Sequence, residues 1–255
     1  MTLEIEQFMC REDNFAVLVH DPGSGETAAI DAPEDGPIVD ALERRGWRLT
    51  HILCTHHHAD HTDGNAALKE AFGAQLVAPA AERDRIRGID REVAGGDVLT
   101  VCNARVEVID TPGHTSGHVS YHWPEDARAF TADCLFSLGC GRVFEGTMEE
   151  MHASLARLAA LPPETVIHCG HEYTAANARF AMTVDPDNAA LRTRAEEVER
   201  LRAAGKPTLP VRLADELATN PFLRAHDPAI RARLGIETAS DAEVFAALRR
   251  LKDKA

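Results

Sequence analysis

Apolar positions divide the chain into two regimes. Through its first two thirds they gather in short runs of strand length, rich in β-branched residues: FAVLVH (15–20), TAAID (27–31), LTHILC (49–54), QLVA (75–78), VLTV (98–101), RVEVID (105–110), HVSYHW (118–123), ARAFTA (127–132) and TVIHC (165–169). Helical stretches interrupt them at about 37–45 and 64–72, followed by Gly46 and Gly73, the residue a left-handed C-terminal cap prefers. Thr147 and Glu150 form a T-x-x-E capping box in front of MHASLARLAAL. Strands this dense, interleaved with helices, predict an α/β fold with a two-layer β core.

Beyond about residue 172 the strand runs cease. DNAALRTRAEEVERLRAAG (187–205) reads as a long helix closed by Gly205, and Ser240 with Glu243 offers a second capping box before VFAALRRLK. Pro207, Pro210, Pro221 and Pro228 separate these pieces. The pattern predicts two domains: an α/β domain over 1–172 and a small all-helical domain over 173–255.

At 255 residues the chain buries a core without needing a metal or disulfide staple, so a metal here has work beyond stability. The N-terminus lacks the order of a secretory signal and no apolar run spans a bilayer, which leads us to expect a cytoplasmic protein with no membrane partner. A net charge of −14 without a basic patch disfavours nucleic acid and favours a small-molecule substrate; we expect a monomer. The six cysteines include no CxxC pair, so they read as packed, reduced thiols.

The chemistry concentrates in THHHADH, residues 55–61, with four histidines and one aspartate. In an extended segment residues i and i+2 project the same way, so His56 and His58 can hold one ion while His57 points elsewhere. Asp60 and His61 follow as the chain turns toward a helix and can serve a second ion. Three further donors close predicted strands: His114 after RVEVID, Asp133 after ARAFTA and His171 after TVIHC. Loops on a rigid sheet are where a site built from distant sequence assembles. The set divides into His56, His58 and His114 for one metal, and Asp60, His61 and His171 for the other. Asp133, with two carboxylate oxygens, is left to bridge ions about 3.5–4 Å apart. Imidazole and carboxylate without thiolate suit two divalent ions, zinc first, with iron or manganese as alternatives. His51, His57, His118, His122, His152 and His168 are left outside this set.

THHHADH, TPGHTSGH, TADCLF and CGHEY together resemble the metallo-β-lactamase superfamily, which implies an αββα sandwich with the metals at one edge. NFAVLVHDP, AAIDAPE, GCGRVFEGT, CGHEYTAAN and the tail ending in RRLKDK narrow the likeness to the glyoxalase II family. The resemblance implies hydrolysis of the thioester S-D-lactoylglutathione, and related 2-hydroxyacylglutathiones, to D-lactate and glutathione, the second step of methylglyoxal detoxification. It also implies that the glutathione moiety is held by Arg142, Tyr173, Asn177, Arg249 and Lys252. Arg249 and Lys252, three apart on a helix, share a face. Some family members carry Lys and Tyr where this chain has Arg142 and Phe144; Phe144 offers no hydroxyl and is not counted as a binding residue.

The expected reaction uses a hydroxide bridging the two metals as nucleophile, with Asp60 and Asp133 as its catalytic carboxylates by virtue of ligation. A glutathione thiolate, with a thiol pKa of about 8.5, leaves without a dedicated acid. The rival readings are a glutathione-persulfide dioxygenase with a single iron and a non-catalytic metal-binding protein.

Overall fold

The computed structural model describes residues 3–255. Its first strand lies where the sequence showed no apolar run. β1 (Glu4–Cys10) pairs antiparallel with β2 (Asn14–His20) from Glu4↔His20 to Cys10↔Asn14. β1 is only partly buried whereas β2 is buried throughout, which is why the edge strand lacks an apolar signature. β3 (Glu26–Ile30) continues the antiparallel run, and β4 (Arg48–Leu53), β5 (Gln75–Pro79) and β6 (Arg91–Val93) join in parallel, giving a six-stranded sheet in the order β1-β2-β3-β4-β5-β6. Parallel neighbours require crossovers. α1 (Asp35–Arg45) supplies the first, and α2 (Ala59–Thr62) with α3 (Asn65–Phe72) the second. Gly46 and Gly73 cap α1 and α3 in the left-handed conformation.

A second, antiparallel set follows: β7 (Val98–Val101), β8 (Ala104–Asp110), β9 (Val119–Trp123) and β10 (Arg128–Ala132). The period-two alternation of β2 decides the layers. Val17 and Val19, with Ala28, Ile30, Leu53 and Val77, face inward and pack with Leu99, Val106, Val108, Tyr121, Trp123 and Phe130. Ala16 and Leu18 face outward with Ile52 and Leu76, covered by Ile38 and Leu42 of α1 and Leu68 of α3. Each fully buried leucine contributes about 1.5–3 kcal/mol. Strand ends therefore sit on a rigid double layer.

Two compact units are distinguishable. One comprises the chain up to Asp110 with Thr115–Phe130, and the other Thr111–His114 with Thr131–Ala255. The second holds the end of β10, a hairpin of β11 (Leu135–Phe136) and β12 (Gly139–Cys140), then α4 (Met148–Ala159), β13 (Val166–Cys169), α5 (Thr174–Val184), α6 (Ala189–Ala203), β14 (Val211–Arg212), α7 (Leu213–Thr219), α8 (Pro228–Leu234) and α9 (Asp241–Lys252). The predicted capping boxes at Thr147 and Ser240 both form. The predicted helix at 187–205 is α6, whose N-cap Asn188 accepts from the Leu191 amide. The tail also carries the two-residue β14, paired to Val166 and Ile167 of β13. Leu138, Ala178, Ala181 and Leu191 form the core that joins α5 and α6 to the hairpin turn. Among the described residues no helix is long and apolar enough to cross a membrane.

Candidate metal centre

In the first unit β4 delivers THHHADH. His56 is fully buried, and its Nε2 lies 3.1 Å from His58 Nδ1, the convergence expected of i and i+2. His57 turns the other way, to Glu82 and Arg85. Asp60 and His61 ride on the single turn of α2, with Asp60 Oδ2 3.6 Å from His61 Nε2. Asn14 fixes Asp60, its Nδ2 donating to the Asp60 carbonyl at 3.0 Å and to Oδ2 at 3.1 Å.

Asp31, at the end of β3, organises this loop although sequence reading passed over it. Its Oδ1 accepts from the Thr55 amide at 2.7 Å, and its Oδ2 from the Thr55 hydroxyl at 2.9 Å and from His61 Nδ1 at 2.8 Å. The Thr55 hydroxyl has a single proton, which goes to Asp31. Its lone pair therefore receives His56 Nδ1–H at 3.0 Å. Both imidazoles are thus set with Nδ1 protonated and Nε2 basic, the arrangement a carboxylate or its relay imposes on metal-binding histidines. An acid closing the TAAID strand, immediately before THHHADH in the parallel order, was the available signal.

In the second unit His114, Asp133 and His171 come together from three strand ends. Asp133 Oδ2 lies 3.3 Å from His114 Nε2 and 3.4 Å from His171 Nε2. His114 Nδ1 donates to the Arg142 carbonyl at 2.9 Å, so its Nε2 is also the basic nitrogen. Gly141 makes the approach possible, since a Cβ there would fall 1.9 Å from the Asp133 carbonyl oxygen. Any other residue would push the Arg142 segment away from the Asp133 loop.

These donors fit divalent cations. A basic Nε2 faces a carboxylate oxygen at His114–Asp133. Two acceptors pointed at each other repel unless a proton or a metal cation lies between them, and this pair offers a metal both a nitrogen and an oxygen donor. The donors are imidazole and carboxylate only, matching zinc, iron or manganese. The thiols stay out of this chemistry: all six cysteines are free and buried, and burial pushes Cys10 and Cys102 up to about 12 and Cys140 up to about 11. None is a thiolate at neutral pH.

The residues expected at the tripeptide all fall in the second unit. Tyr173 is exposed and stacks on His171, rings 4.7 Å apart and 3° from parallel. Arg142 is exposed, its Nε 4.0 Å from Asp253 Oδ1. Asn177 is buried and donates to the Ser137 carbonyl at 3.0 Å. Arg249 is only 3% exposed; its Nη1 donates to the Cys140 carbonyl at 2.8 Å and its Nε and Nη2 to Asp253 Oδ1 at 3.1 and 2.9 Å. Lys252 is half-buried and donates to the Ala176 carbonyl at 3.2 Å. Burial, then the neighbouring Arg249, Arg179 and Arg142, holds its ammonium below the usual lysine range. Arg249 and Lys252 lie one turn apart, yet one braces β12 and the other α5. Phe144 is 61% exposed, with its ring 5.2 Å from that of His114.

Comparison with known proteins agrees with this layout. Residues 11–171 match the model of the metallo-β-lactamase superfamily and residues 172–255 that of the hydroxyacylglutathione hydrolase C-terminus. The hydroxyacylglutathione hydrolase of Mesorhizobium japonicum is 62% identical over 253 residues, 99% of each chain, and that of Rhizobium meliloti 60% identical over 98% of each. Solved structures share the fold at low identity. ETHE1 from Myxococcus xanthus superposes with a TM-score of 0.70 at 24% identity, over 97% of this chain and 91% of that one. TTHA1623 in a di-iron-bound form gives 0.63 at 24% identity, over 86% and 100%. The fold is thus the metallo-β-lactamase αββα sandwich with a helical C-terminal domain, and the chain belongs to the hydroxyacylglutathione hydrolase family of the metallo-β-lactamase superfamily.

Proposed function

We propose that the chain is a metal-dependent thioester hydrolase that cleaves S-D-lactoylglutathione and related 2-hydroxyacylglutathiones to the hydroxy acid and glutathione. The observation that carries this reading is the 62% identity to a hydroxyacylglutathione hydrolase over 99% of both chains, helical tail included. A shared fold alone would leave the substrate open.

In this reading His56, His58 and His114 would hold one divalent ion and Asp60, His61 and His171 a second, with the Asp133 carboxylate available to either. Zinc suits this donor set best, and iron or manganese are the alternatives. Bound ions supply Lewis acidity at the thioester carbonyl and lower the pKa of coordinated water toward about 7. Support comes from the orientation already built into each half: Asp31 and Thr55 set His61 and His56, the Arg142 carbonyl sets His114, and Asp133 Oδ2 lies within 3.4 Å of His171 Nε2 and 3.3 Å of His114 Nε2.

The chain's own residues bind and orient. Lys252 and Arg142 offer cations to the tripeptide carboxylates in a protein of net charge −14. Tyr173, stacked on His171, offers an aromatic wall to the substrate, while Asn177 and Arg249 brace the Ser137–Cys140 turn. A cytoplasmic monomer acting on a small molecule completes the reading.

The test is metal content and oxygen uptake measured on the same preparation. Two ions per chain and no oxygen uptake with glutathione persulfide are expected. One iron per chain with persulfide-dependent oxygen uptake would replace the hydrolase with a dioxygenase.

A further inference from the structure

Glu82 ends a single 3-10 turn, Ala80–Glu82, just after β5, and is 1% exposed. A carboxylate so buried persists only where donors surround it. Its Oε1 accepts from the Thr115 hydroxyl at 2.7 Å and from the Gly117 amide at 3.0 Å. Its Oε2 is paired with His57 Nδ1, and Arg85 Nη1 lies 2.8 Å from the other nitrogen of the same ring. These contacts reach two stretches of chain. One is His57, flanked on both sides by the proposed ligands His56 and His58. The other is Thr115–Gly117, which leaves directly from His114.

Two further observations tie these stretches together at Glu82. A Cβ on Gly117 would stand 2.7 Å from the Glu82 Cγ and 2.8 Å from its Oε1, so the backbone closes on the carboxylate only because residue 117 is glycine. The Val119 amide then donates to the Thr55 carbonyl at 3.0 Å, returning the chain to the start of THHHADH. His57, surplus to the ligand count, has its place here.

We propose that Glu82 is a positioning residue for the metal centre, fixing the His56–His58 segment through His57 and the segment after His114 through Thr115 and Gly117. This assignment rests on the metal reading above but not on the identity of the thioester. Charge-assisted bonds to a buried carboxylate are the strong ones, so one side chain suffices to hold both segments.

The experiment is metal affinity of Glu82→Ala and Glu82→Gln, by competition with a chromogenic chelator using zinc alone, beside the thermal midpoint of the metal-free protein. Partners that orient ligands alter metal affinity by about 10–100-fold. Glu82→Ala is expected to lose that much in affinity while the metal-free protein stays folded with a lowered midpoint, since Thr115 and Gly117 lose their acceptor. Glu82→Gln, which keeps an acceptor for Thr115 and Gly117, should recover most of the loss. In kinetics, kcat should fall with KM for glutathione thioesters held. Unchanged zinc affinity in Glu82→Ala would overturn the proposal, and so would a loss of affinity matched by collapse of the metal-free fold in both variants. If the wild type bound zinc but released no thiol from any glutathione thioester, the hydrolase reading would fall while the zinc result still judged Glu82.

Discussion

Asp31 Oδ2 lies 2.8 Å from His61 Nδ1, and the same carboxylate takes both the amide and the hydroxyl of Thr55. One acid at the end of β3 therefore sets the tautomers of two proposed ligands, His61 directly and His56 through Thr55. Replacing it with alanine removes all three acceptor contacts and frees both rings. Asp31→Ala should bind divalent metal about 10–100-fold more weakly, read by chelator competition. Wild-type affinity in this variant would show that the rings are held by something else.

Asp133 meets both histidines of the second unit, its Oδ2 3.3 Å from His114 Nε2 and 3.4 Å from His171 Nε2. Asp133→Asn keeps the shape but removes the negative charge and leaves a single neutral oxygen between His114 and His171. It should lower metal content per chain and thioesterase rate together, measured by elemental analysis and by thiol release. A variant with full metal content and full rate would refute the shared-ligand role.

Much of this was legible in the sequence because the proposed ligands obey strict rules of spacing. Extended backbone at 55–58 dictated that His56 and His58 diverge from His57, and apolar runs before His114, Asp133 and His171 marked the strand ends that carry them. The supporting acids were not legible in this way. Asp31 and Glu82 act through residues 24 to 35 positions away, and neither lies in a motif whose local pattern announces a partner. β1 escaped for a related reason: an edge strand with one half-wet face does not need apolar alternation. Arg249 shows what spacing alone leaves out. Its spacing from Lys252 suggested a paired cationic face, but the buried guanidinium is committed to Cys140 and Asp253.

That difference separates two variants. Lys252→Met should raise KM for glutathione thioesters about tenfold, the equivalent of about 1.4 kcal/mol, with kcat little changed. Arg249→Met should lower the thermal midpoint as well, because the Cys140 carbonyl and Asp253 lose their donor. Equal effects of the two on midpoint and KM would argue against distinct roles.

Glu216 links stability to pH. Fully buried, it accepts from the Ser137 hydroxyl, the Leu138 amide and Asn220 Nδ2, and burial raises its pKa above the usual carboxylate range. With the folded value above the unfolded one, the folded state holds the proton more tightly. Its contribution is therefore full below about pH 4.5 and is lost as pH rises through the folded value. Glu216→Ala removes both acceptor oxygens, leaves the donors at Ser137, Leu138 and Asn220 unmatched and should cost about 1–3 kcal/mol. The deficit against wild type should be largest near pH 4.5 and shrink toward neutrality, measured by denaturant unfolding across pH. A deficit that grows with pH would reverse the assigned shift.

The central claim is that this chain hydrolyses glutathione thioesters through ions held by its histidines and aspartates. Thiol release from S-D-lactoylglutathione, followed before chelation, after chelation and after readdition of zinc, tests it most directly. Release is expected to stop with the chelator and return with the metal. Release that persists in metal-free protein, or no release from the metal-loaded protein, would contradict it.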